Sequence, residues 1–88
     1  VLRALRAIPL LREVRIASRD MVAERMADAI AATGHKASRE RLLEAACLTT
    51  ELMYSGMEMV LEEPSRDGHR ICVDLARMMV TYYDQLES

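Results

Sequence analysis

Residues 39–64 read RERLLEAACLTTELMYSGMEMVLEEP, and this stretch decides the fold. Its acids Glu40, Glu44, Glu51, Glu58 and Glu62, with Ser55 between, recur at helical spacings, which puts them on one narrow stripe. Nearly everything else is apolar: Leu42, Leu43, Ala46, Cys47, Leu48, Leu52, Met53, Tyr54, Met57, Met59, Val60 and Leu61. No strand-type alternation fits this pattern. Ser38 supplies an N-cap and Pro64 a stop, so a helix, here helix C, is expected from Ser38 to about Glu62.

The same design continues on both sides. Downstream, helix D is expected over about Arg66–Leu86, with Ser65 as its cap. Its polar stripe is Arg70, Asp74, Arg77, Thr81, Asp84 and Ser88, and the rest is again apolar. Upstream, helix B is expected over about Leu10–Thr33, with Gly34 as its left-handed stop. Before it, a short helix A over about Leu2–Ala7 ends at Ile8-Pro9, because a residue preceding proline is pushed out of the α region. The reading is an all-α chain: an antiparallel bundle of three long helices plus a short N-terminal one, residues 1–88 forming one domain.

Helix B carries Arg12, Arg15 and Arg19 early and Asp20, Glu24 and Asp28 late. This order opposes the helix macrodipole and invites a break or bend near Ser18–Asp20. Its buried face is expected to contain Val14, Met21, Val22, Met26 and Ile30. Gly56 in mid-helix marks either a close helix crossing or a tolerated loss of about 1 kcal/mol against alanine.

Helices C and D have apolar arcs covering roughly two-thirds of their circumference, whereas a surface helix buries a stripe little over 100° wide. A chain of 88 residues cannot cover both flanks of both helices. A partner must do so, and a second copy of the chain is the simplest partner. Two C–D hairpins would then form an intersubunit four-helix bundle. The residues expected at that interface are Leu52, Met59, Val60, Cys72, Leu75, Ala76, Met79, Val80 and Tyr83.

Composition narrows the function classes. The chain is 51% hydrophobic and 30% charged, which suits a globular domain. A net charge of −2 argues against direct nucleic-acid binding by this segment. The basic residues cluster, with Arg3, Arg6, Arg12, Arg15 and Arg19 against only Glu13 in the first nineteen residues. They are expected to pack beside acidic helices or to face an acidic partner. There is no apolar run long enough for a membrane span and no secretory signal, so a cytoplasmic location without membrane association is expected. The opening VLRALRA begins in mid-pattern, as a piece of a longer protein would.

Catalytic and metal signatures do not emerge. No phosphate loop, HExxH, CxxC, GxSxG or EF-hand pattern occurs, so no enzyme activity, cofactor or metal is expected. His35 and His69 lack ligand-type neighbours. Cys47 and Cys72 lie in apolar arcs and are expected to be buried thiols. In a C–D hairpin they differ by roughly 13 Å in height, too far for a disulfide. The glutamates of helix C read as a solvated face and not as a general acid–base pair. Seven methionines with no Phe or Trp make an adaptable apolar palette. Met53, Tyr54 and Met57, with Met21, Met26 and Ile30 of helix B, either line a pocket for a small apolar ligand or simply pack the core. Met21, Met53, Tyr54 and Met57 are the candidate ligand residues. An anionic guest would need Arg19 or Arg25.

The succession of IPLLREV, SRDMVAERMADAIAATG, the long 39–64 segment and the tail RMMVTYYDQL resembles the C-terminal regulatory domain of tetracycline-repressor-like (TetR family) bacterial transcription regulators. The resemblance implies a homodimer through helices C and D. It also implies a small-molecule effector pocket framed by the preceding helices, and DNA binding through an N-terminal helix-turn-helix domain that these residues do not contain. The competing reading is a ligand-free helical dimerisation module.

Overall fold

A computed structural model describes residues 9–86. They form three helices, α1 (Pro9–Ala32), α2 (Arg39–Glu62) and α3 (Gly68–Gln85), with no strand among the described residues. The all-α expectation therefore holds. The proposed helix A, Arg3, Arg6 and Ser88 lie outside the described residues.

Local chemistry sets most of the boundaries. Pro9 occupies the first helical position of α1, where its missing N–H is no loss and its fixed φ suits the helix. The reversed charge order produces no break near Ser18–Asp20: α1 is continuous over 24 residues. It ends as expected at Gly34, whose φ of 89° only glycine adopts easily. There the Thr33 and Gly34 amides donate to the Ile30 and Ala31 carbonyls. Ser38 caps α2, its hydroxyl accepting from the Arg41 amide at 3.2 Å. The cap of α3 differs from expectation. Asp67, not Ser65, accepts from the Arg70 amide at 3.1 Å, and the helix starts at Gly68 instead of Arg66. The Arg66 amide is committed to the Glu63 carbonyl, so the turn after α2 runs two residues further before the new helix opens.

Helix α2 is the shared element: α1 packs along it, α3 packs along it, and α1 and α3 make no close backbone approach to each other. Arg15 pairs with Glu51 and Arg39 with Asp28, so contacts run in opposite order along α1 and α2. The seam between these helices is made of small side chains. Ala23 and Ala27 of α1 and Ala45, Ala46, Thr49 and Thr50 of α2 are buried, joined by Leu42 and Leu86. Small residues let two helix axes approach closely, which excludes water without much side-chain volume. This corrects the expected buried face of helix B: Val14 and Met21 are exposed, while Met26 and Ile30 pack half-buried at the core's edge.

Where α2 meets α3, Gly56 is the contact point. A Cβ built there would lie 2.4 Å from Leu75 Cδ1, so the glycine marks a close crossing and not a tolerated loss. The molecule measures 38 × 32 × 16 Å, about two packed helices deep. No side chain of α3 is fully buried.

Candidate functional site

A cleft of about 810 Å³ opens between α1 and α3 with α2 as its floor. It follows from the topology: α1 and α3 both lean on α2 with no close backbone approach to each other, and space is left between them. Helix α1 contributes Met26, Ala29, Ile30 and Thr33; α2 contributes Met53 and Met57; α3 contributes Cys72, Leu75, Ala76, Met79, Val80, Tyr83 and Asp84. His35, from the α1–α2 loop, closes one end.

That end carries a set of hydrogen bonds. The Ala37 amide donates to His35 Nδ1 at 3.1 Å, which leaves the ring proton on Nε2 to donate to the Tyr83 carbonyl at 2.8 Å. The Tyr83 hydroxyl lies 2.8 Å from Thr49 Oγ1. Thr49 itself bonds the Ala45 carbonyl at 3.0 Å, so its single proton is spent there and Tyr83 is the donor between them. Burial pushes the Tyr83 phenol above its ordinary pKa. Its ring packs edge-on against Tyr82, with centroids 5.5 Å apart.

The structure gathers some of the candidate ligand residues and separates others. Met53 and Met57 line the cleft, as does Met26. Met21 and Tyr54 do not, and Met21 stands in solvent on α1. Arg19 and Arg25 are likewise absent from the lining. Arg19 instead bonds Asp20, which holds its guanidinium more firmly charged, and it also faces Glu51 at 3.6 Å. Six residues assigned to the partner interface, Cys72, Leu75, Ala76, Met79, Val80 and Tyr83, form the α3 wall of this cleft. Leu52 and Met59 are exposed on α2, and Val60 lies against Gly68.

Two further expectations change. Cys72 is exposed and Cys47 half-buried, and both are free thiols. The rotation of α3 that brings Leu75 onto Gly56 leaves Cys72 on the open side. The glutamate stripe is not wholly solvated: Glu51 and Glu58 are half-buried, and Glu51 accepts from the largely buried Arg15 at 2.7 Å. The basic segment does pack beside an acidic helix at that point.

Sequence reasoning missed Ala29, Thr33, His35 and Asp84. Asp84 sits in the polar stripe of helix D, and its place on the cleft depends on where α3 crosses α2. Among the described residues no three His, Cys, Asp or Glu side chains are grouped to hold a metal ion. No helix among them is long and apolar enough to cross a membrane. No protein-family model, curated protein or solved structure matches the chain.

Proposed function

We propose that this chain is the effector-sensing and homodimerisation domain of a bacterial transcription regulator of the tetracycline-repressor-like kind. The observation that carries the reading is the cleft. It is large enough for a drug-sized molecule, lined mainly by apolar side chains from all three helices, and has a few polar groups at one end. In this reading an effector wedges between α1 and α3 and changes how α3 lies on α2. Since α2 and α3 would also form the contact with a second copy, the change is passed to the partner chain. A helix-turn-helix domain outside these 88 residues would carry the DNA contacts.

Support for the dimer comes from α3, which buries no side chain fully and exposes Met78 and Val80 at more than half their surface. The same fact favours a second reading, a dimerisation module whose cleft is filled by its own partner. A thermal-shift screen of small apolar compounds decides between them. Compounds that bind the folded state raise the melting temperature in proportion to the logarithm of their concentration above Kd. Ala76→Trp, which places an indole on the α3 wall of the cleft, should reduce the shift. A dimer that no compound stabilises favours the second reading.

A further inference from the structure

The charge of the cleft bears on what it takes. Among its lining residues Asp84 is the one acidic side chain, and no lysine or arginine is present. No ion pair occupies the Asp84 carboxylate among the described residues. Tyr83, one residue before it, also lines the cleft, and aromatic rings attract cations through their quadrupole. Both residues lie in the last turn of α3, where the helix dipole is negative. Four methionines are among the apolar residues that line the remainder, and their side chains adapt to irregular shapes. An anion would meet Asp84 with no lysine or arginine beside it, and both ring nitrogens of His35 are committed, to the Ala37 amide and the Tyr83 carbonyl.

Resting on the effector-binding reading above, we infer that the guest is an organic cation. It has a bulky apolar body seated among Met26, Met53, Met57 and Met79 and its positive centre at the Asp84–Tyr83 end. The cleft selects by sign of charge at one end and by apolar volume elsewhere.

Tetraphenylphosphonium and tetraphenylborate have nearly the same shape and opposite charge, so they separate sign from volume. Calorimetric titration of the 88-residue chain with each should show the phosphonium binding at least about fivefold tighter, as a solvent-exposed ion pair plus a cation–aromatic contact allows. Asp84→Asn should reduce that preference to about twofold or less, since only the aromatic contact remains. Ala76→Trp should weaken both ions. Equal affinities for the two ions, or a preference unchanged by Asp84→Asn, would overturn the cation assignment while leaving an effector cleft standing. Binding of neither ion, with the chain folded by circular dichroism, would overturn the cation assignment, and failure of neutral apolar compounds in the thermal-shift screen as well would overturn the effector reading itself.

Discussion

Tyr83 joins three separate parts of the chain. Its hydroxyl reaches Thr49 in α2, its carbonyl receives His35 from the α1–α2 loop, and its ring lines the cleft from α3. The neutral phenol is the form that can donate to Thr49, and burial raises its pKa in the folded chain. A raised folded pKa contributes stability that is fully present below the unfolded value near pH 10 and lost as pH rises through the folded one. Tyr83→Phe should therefore destabilise by about 1 kcal/mol at neutral pH, the worth of one hydrogen bond. It should also make unfolding less sensitive to pH above about 10. Urea titrations at neutral and alkaline pH check both. Parallel alkaline losses in wild type and variant would show that Tyr83 titrates as it does in the unfolded chain. Little of this arrangement was legible in advance, because Tyr83 reads from its position as one more apolar residue of helix D. Gly34 and Ser38 were legible, since a left-handed stop and a helix cap depend on neighbours within a few residues.

At the scale of the helices, the two ends of the 63–67 turn show the limit of such local reading. Ser65 and Asp67 are equally good caps by residue type, and the choice falls to Asp67 because Arg66 still belongs to the turn. Asp67→Ala should cost about 1 kcal/mol and Ser65→Ala only tenths, in thermal unfolding monitored by circular dichroism. The α2–α3 crossing offers a sharper test. Gly56→Ala gains about 1 kcal/mol of helix propensity but drives a Cβ into Leu75, where overpacking costs about 1–3 kcal/mol. Net destabilisation is expected. In the Leu75→Ala background the same change should become stabilising, because only the propensity gain survives. Additive effects in that double-mutant cycle would place the two residues out of contact. Gly56 was the one residue that announced a tertiary contact. The alanine seam gave no such signal, since hydrophobic periodicity weighs side-chain mass, and this pair of helices is held by closeness.

The whole molecule leaves apolar surface uncovered on a body only 16 Å deep. Leu48, Leu61, Met78 and Val80 are each exposed by more than half. Exposed apolar side chains mark association surfaces where they are contiguous. A second copy packed against α3 would cover some of them, and two-fold pairing supplies that contact with no new sequence. The expected outcome is a species of twice 10.0 kDa in sedimentation equilibrium at micromolar concentration. Point changes on α3 locate the contact. Val80 stands 61% exposed in the single chain, so a glutamate there meets solvent and does little to a monomer. In a dimer joined through α3 the same carboxylate loses its hydration without a partner, at a cost of several kcal/mol. Val80→Glu should thus shift the chain to monomer while leaving its helical circular dichroism intact. Arg77→Glu, on the polar stripe, should leave the mass unchanged. If both variants sediment as dimers like the wild type, Val80 does not lie at the contact.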